Sequence, residues 1–289
     1  MRLSQRSGVS RGQAFEDWLT AMVCALAAET KEDEYMSMVE RHKRGEPGRR
    51  GIDLMPAMFH ELVDSMTETD ADILGDLFQG AITYGEAGQY FSPECIARLL
   101  AAMSVDPDAR PSADRPLLIS DPCCGTGRML LEASKINPHA ELVAQDIDSR
   151  CAKITAINMG LRGSYGWVIC GNSLSAETTF AYRIGSFFHE TPRGLRRGVI
   201  RDLPPTSTSV AAVAHGMRRE AKDLLDQAPE DGVQAESPSQ TIVEVPRWIA
   251  RLEPKVAALD RSQRDSTEPS TDDLPETPEA PPRVQRRLF

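Results

Sequence analysis

The chain has 289 residues, a formal net charge of −10 and 40% hydrophobic content, enough for one sizeable domain with appendages or two small ones. These values exclude collagen-like, wholly disordered and generally basic nucleic-acid-coating proteins, so any DNA contact must be local. No apolar run approaches the ~20 residues of a membrane span, and the basic N-terminus has no apolar stretch behind it, so a cytoplasmic protein with no membrane partner is expected.

Apolar residues at Phe15, Trp18, Leu19, Met22 and Leu26 recur at threes and fours and predict a helix over 13–28. A basic, glycine-bearing stretch follows from Arg41 to Gly51. Met55, Met58, Phe59, Leu62 and Val63 then predict a second helix, and residues 70–78 a third. Residues 1–87 therefore read as an all-helical N-terminal region.

After Pro116 the period changes. Leu117 to Ser120 predicts a strand, a glycine-rich turn follows, and Met129 to Ile136 predicts a helix. Glu141 to Gln145 predicts a second strand ending at Asp146, and Asp148 N-caps a helix with Ile154, Ile157 and Leu161 on one face and Gly163 past its end. Trp167 to Cys170 predicts a third strand. Alternating strands and helices with short connections imply an α/β fold with a parallel sheet and right-handed crossovers. Beyond Asn172 few apolar strand-like runs remain, so the sheet is expected to be abbreviated. Residues 88–205 read as the α/β domain, 206–263 as a helical extension with helices near 206–227 and 245–260, and the proline-rich 264–289 as a disordered tail.

The six cysteines are scattered, with no C-x-x-C pair and no matching histidine spacing, so neither a zinc site nor a disulfide framework is indicated. The turn D-P-C-C-G-T-G-R, Asp121 to Arg128, sits between a strand and a helix, where backbone N–H groups approach a ligand closely. A P-loop would need G-x-x-x-x-G-K-[ST], which is absent, and a dinucleotide fingerprint would need a small residue where Leu130 stands. Asp121 would repel a diphosphate but accept from an ammonium group. Asp146, at the next strand end, suits ribose hydroxyls, and Asn172, at the third, suits an adenine ring. Each alone also reads as an ordinary strand-end cap or turn.

The runs G-Q-Y-F-S-P (Gly88 to Pro93), D-P-C-C-G-T-G-R-M-L (Asp121 to Leu130), A-Q-D-I-D (Ala144 to Asp148), A-I-N-M-G-L-R-G (Ala156 to Gly163) and G-N-S-L (Gly171 to Leu174) occur in an order that resembles the adenine-specific DNA methylases found as modification subunits of Type I restriction systems. The resemblance implies a Rossmann-like S-adenosylmethionine-dependent methyltransferase fold, with S-adenosylmethionine as cofactor and double-stranded DNA as substrate. It places Gln89, Tyr90, Phe91 and Ser92 at the methionine end, Asp121, Cys123, Gly125, Thr126 and Gly127 around the methionine part, Asp146 at the ribose and Asn172 at the adenine. Ser92 is equally suited to N-cap the helix that Pro93 opens. A specificity subunit or a second methylase subunit is an implied partner.

The family's catalytic run, N-P-P-Y or N-P-P-F at the end of the fourth strand, is missing from this sequence. Its nearest substitute is D-L-P-P-T after a short strand at Gly198 to Arg201, with Asp202 the one acceptor; a plain turn after an edge strand explains that run equally well. The expected activity is therefore adenine N6 methylation of DNA, with a catalytically incomplete cofactor-binding or DNA-binding accessory as the alternative. Two basic clusters, Arg41, Lys43, Arg44, Arg49 and Arg50, and Arg193, Arg196, Arg197 and Arg201, would each neutralise a few phosphates or be ordinary surface; the second is expected in a loop beside the substrate. At the chain end, Gln285, Leu288 and Phe289 resemble the short peptides that bind replication sliding clamps.

Overall fold

A computed structural model describes residues 2–28, 30–83, 91–112, 116–175, 177–191 and 194–203. The expected extension at 206–263, the tail and the clamp-like peptide lie outside the described residues, as do Gln89, Tyr90 and Arg193.

The N-terminal part is helical: α1 (Arg2–Ser7), α2 (Arg11–Leu26), α3 (Glu32–His42), α4 (Met55–Thr69) and α5 (Ile73–Leu77), the last running into a π-helical turn at Phe78–Thr83. Helix α3 was not foreseen; its stretch has few apolar residues, and only Met38 and His42 are buried. Ser10 caps α2, its hydroxyl accepting from the Gln13 N–H. Beneath the cap lies a buried polar knot. The Asp17 carboxylate accepts from Arg41 and Gln13 and contacts His42 Nε2 at 2.8 Å, and His42 Nδ1 meets the Ser7 hydroxyl at 2.6 Å. Burial pushes the Asp17 pKa up, but the hydrogen bonds from Arg41, His42 and Gln13 outweigh it and hold the carboxyl below its usual range.

Helix α6 (Glu94–Ser104) leads into the sheet: β1 (Leu118–Asp121), α7 (Arg128–Ile136), β2 (Glu141–Asp146), α8 (Ser149–Leu161), β3 (Gly166–Asn172), β4 (Glu177–Thr191) and β5 (Gly194–Leu203). The strands lie in the order β1-β2-β3-β4-β5, the first three parallel and the last two antiparallel. Two crossovers moving in one direction along the sheet put α7 and α8 on the same face, where they touch. Helix α8 is buried over most of its length because α2 covers its outer side. One apolar cluster joins Phe15, Trp18 and Leu19 of α2 to Ile154 and Ile157 of α8 and to Tyr182, Ile184 and Ile200 of β4 and β5. The helical region and the α/β part thus share a core. On the other face Val143, Trp167, Ile169 and Ala181 form a smaller buried cluster.

The first three strands and both crossover helices stand where the sequence predicts them, and the Asp148 side chain caps α8 by accepting from the Arg150 N–H. The short strand expected at Gly198 to Arg201 lies within β5, whereas the long strand β4 was not expected. Strand β4 continues well past β3: Gly166, the first residue of β3, pairs with Ile184, and β4 then runs on with β5 alone to Thr191. Phe180, Tyr182 and Ile184 alternate with Ala181 and Arg183, a period of two that polar neighbours mask.

Candidate cofactor site

The C-terminal ends of β1, β2 and β3 form one rim, and the Asp121–Arg128 turn crosses it. Gly125 and Gly127 take positive φ of 56° and 82°, which β-branched side chains resist. Space forbids side chains there too. A Cβ on Gly125 would meet the Phe91 ring at 3.0 Å, and one on Gly127 would meet Thr155 at 2.8 Å.

The turn is held by hydrogen bonds to its N–H groups. Cys124 donates to the Gln145 carbonyl at 2.8 Å, Cys123 to the Asp121 carboxylate at 3.1 Å, and Gly125 to Asp146 Oδ2 at 2.8 Å. The other Asp146 oxygen accepts from the Asp148 N–H at 2.9 Å. Burial raises the Asp146 pKa even though these two backbone bonds favour its charged form, and the nearby Asp148 and Asp121 carboxylates add to the rise.

A second layer props the turn from below. Asp72, which caps α5, accepts from the Gly75 N–H at 2.9 Å, from the Thr126 hydroxyl at 2.5 Å and from Asn158 Nδ2 at 2.8 Å. Asn158 also donates to the Thr126 carbonyl, and the Thr155 hydroxyl to the Gly125 carbonyl. Arg128 reaches Asp76 at 2.7 Å, Asp72 at 3.4 Å and the Ser92 carbonyl at 3.2 Å. None of Asp72, Asn158 and Thr155 was picked out from the sequence. Asn158 lies inside the run A-I-N-M-G-L-R-G, and a lone amide on an otherwise apolar helix was the available signal.

Above the turn is a cavity of about 190 Å³ lined by Phe91, Ser92, Asp121, Cys123, Gly125, Thr126 and Asp146, all expected, and by Cys124, Arg128, Met129 and Cys151. Its volume is below the ~300–1,000 Å³ of complete small-molecule sites. Burial pushes the Cys124 and Cys151 thiols far above their usual range, leaving them inert apolar lining. Phe91 continues an aromatic chain into the core, 5.7 Å from Phe78, which stacks on Phe15 at 5.8 Å. Ser92 does not cap α6; Pro93 stands at that position and no side chain bonds the helix start. Asn172 sits at the rim with its carbonyl oxygen accepting from the Leu174 and Ser175 N–H groups, and it does not line the cavity.

Two other placements correct the sequence reading. Asp202 lies on β5, at the far edge of the sheet from β1, paired with Tyr182 and outside the cavity. Its carboxylate is bound by Lys31 Nζ at 2.9 and 3.1 Å. Burial works against the Lys31 charge, but the hydrogen bonds it donates to Glu34 and Asp202 prevail and raise its pKa. Arg196 and Arg197 are on β5 opposite His189 and Phe188, beyond the N-terminal end of β3, and so at the rim opposite the cavity rather than beside it. Arg197 donates to the Ser186 hydroxyl, and Arg201 lies 4.2 Å from the Phe187 ring centre. In the first basic cluster Arg41, Lys43 and Arg50 are engaged by Asp17, Glu40 and Asp53. Among the described residues no group of three or more His, Cys, Asp or Glu side chains could hold a metal ion, and no helix is long and apolar enough to cross a membrane.

Residues 69–182, which take in α5, the glycine turn and all of β1 to β3, match the family model described as N-6 DNA Methylase. This segment is similar to that family. The chain is also similar to the Type I restriction enzyme MjaVIII methylase subunit of Methanocaldococcus jannaschii, 30% identical over 119 residues, a stretch that is 37% of this chain and 19% of that subunit. The chain therefore spans about a fifth of the length of that relative. No solved structure matches the chain.

Proposed function

We propose that this chain binds S-adenosylmethionine at the Asp121–Arg128 turn and serves adenine-specific (N6) methylation of double-stranded DNA, in a restriction-modification or stand-alone setting. The observation that carries the reading is the Asp146 carboxylate. It is half-buried at the cavity wall, and two backbone N–H groups occupy part of its acceptor capacity of about four lone pairs, which leaves acceptors for two ribose hydroxyls. Asp121, in the same cavity, suits the ammonium of the methionine part, and the side-chain-free Gly125 lets the ligand come close to the backbone. With the Asn172 oxygen taken up by its turn, its Nδ2 amide is the group left to donate to an adenine ring nitrogen. Bound there, the cofactor would supply an electrophilic methyl group; the chain's own part is to hold and orient it.

A second reading, a catalytically incomplete accessory, is favoured by Asp202: the one acceptor in the D-L-P-P run is tied to Lys31 away from the cavity. DNA contact is proposed for Arg196, Arg197 and Arg201 on the β4–β5 ribbon, with Arg193 outside the described residues; from the rim opposite the cavity they would hold flanking phosphates rather than the target base. A specificity subunit or a second methylase subunit remains part of the proposal, as a partner supplying what the described residues lack. Methyl transfer to mixed genomic DNA tests the enzyme reading. Incorporation into adenine supports it; cofactor binding without any transfer by the chain alone leaves the accessory.

A further inference from the structure

The β4–β5 ribbon runs on where its neighbour in the sheet stops. Gly166, the first residue of β3, pairs with Ile184, and from Phe187 to Thr191 β4 pairs with β5 alone among the described residues. A register shift between Ile184 and Phe187 marks the root of this projection, and such a bulge twists and re-aims a ribbon. The root is packed: a Cβ on Gly198 would meet Ala28 at 3.0 Å, and one on Gly185 would meet the Tyr165 ring at 3.2 Å. Past the root the surface changes character. Phe188 and Leu195 are 52% and 68% exposed, and the pairs Phe188–Arg197 and Glu190–Leu195 set both of them on one face with Arg197. Arg196 and Arg197 are exposed, and Arg197 spends one N–H on the Ser186 hydroxyl. Residues 185–201 carry Arg193, Arg196, Arg197 and Arg201 against one acidic residue, Glu190, in a chain whose net charge is −10.

We propose that this ribbon lies in the major groove of duplex DNA, with Phe188 and Leu195 against base edges and Arg196 and Arg197 on the phosphates that border them. A two-stranded ribbon is one of the elements that the ~12 Å major groove admits. That groove displays thymine methyl groups between two rows of phosphates, so it offers apolar and anionic partners side by side. The ribbon presents the matching pair, apolar side chains flanked by arginines. The inference rests on the reading of DNA as substrate and deepens it. Phosphate contacts alone carry no sequence information, whereas Phe188 and Leu195 give the chain a preference for thymine-bearing DNA beside the methylated base.

Fluorescence anisotropy on the full-length chain tests it, using a labelled duplex of about 20 base pairs and the same duplex with uracil for thymine, which removes only methyl groups of the major groove. The parent should bind the thymine duplex at least ~4-fold more tightly, the worth of one buried methyl group. Phe188→Ala combined with Leu195→Ala should erase that difference, and Arg196→Ala should lower the salt slope by about one. Equal affinity of the parent for the two duplexes, a difference that survives in the double variant, or an unchanged slope in Arg196→Ala would overturn the proposal and leave the methylase reading standing, with DNA held elsewhere on the chain. No duplex binding by the parent would overturn it as well; S-adenosylmethionine titration and methyl transfer judge the methylase reading separately. Should the double variant unfold at a lower temperature than the parent, the parent's preference for thymine and the Arg196→Ala slope decide.

Discussion

The parallel strands β1–β3 and the antiparallel ribbon β4–β5 belong to one sheet, yet they use their charged side chains in opposite ways. On the parallel side Asp121 and Asp146 end their strands at a glycine turn, bind its N–H groups, and still face a cavity. On the ribbon the charges are spent on neighbours: Asp202 on Lys31, Arg183 on Glu141 and the Trp167 ring, Arg201 on Phe187. A carboxylate at a strand end becomes a binding group only where the following turn leaves room for a ligand. Without such a turn the same residue becomes a surface ion pair.

The largest effect should come from breaking the turn that leaves that room. Gly127→Val would force a β-branched residue to φ 82° and push its Cβ into Thr155, so S-adenosylmethionine binding should vanish, with about 2–4 kcal/mol of stability lost as well. Normal binding by this variant would mean the turn is not the cradle. Asp72→Ala comes next. It strips partners from Thr126, Asn158 and the Gly75 N–H in a buried network, and urea denaturation should read a loss of about 2–4 kcal/mol. A loss under ~0.5 kcal/mol would show that the turn needs no support from α5.

Asp146→Ala should cost roughly 1–3 kcal/mol of cofactor affinity as the ribose hydroxyls lose a charged acceptor. Its raised pKa adds a pH signature with two signs. Protonation removes the acceptor, so affinity should fall as pH drops through a value above the ordinary 3.8. Stability moves the other way: the folded state favours the protonated form, so this group's contribution improves as pH falls through the same window and is lost as pH rises. Asp146→Asn should flatten the affinity profile; a parent profile already flat there would remove Asp146 from the site. The smallest effect belongs to Asp202→Ala, which breaks a half-exposed pair with Lys31 and should change stability by about 0–1 kcal/mol with cofactor affinity unchanged. Loss of methyl transfer in that variant would restore D-L-P-P as a catalytic run.

The same contrast explains what could be read in advance. The parallel half is built of local signals: a glycine turn, a carboxylate at a strand end, an aspartate cap at Asp148, a glycine past the helix at Gly163. Each lies within a few residues of the element it sets, and β1 to β3 with α7 and α8 were legible from them. Strand β4 was missed because threonines, an arginine and a histidine dilute its alternation, and only the apolar cluster around Tyr182 and Ile184 fixes which face is buried. The Asp72–Thr126–Asn158 network was missed for a related reason. Its members come from α5, the turn and α8, far apart in sequence, and nothing local marks them as partners. Placement of the arginines failed on topology: once β4 runs antiparallel to β3 and past its start, Arg196 and Arg197 must fall at the rim opposite the cavity.

The glycine turn with Asp146 is proposed as the cradle for S-adenosylmethionine. Calorimetric titration of the full-length chain and of Asp146→Ala with S-adenosylmethionine at neutral pH tests it most directly. One binding site per chain, weakened roughly 5- to 150-fold in the variant, is the predicted result; no heat of binding in the parent, or equal affinity in both, would contradict the account.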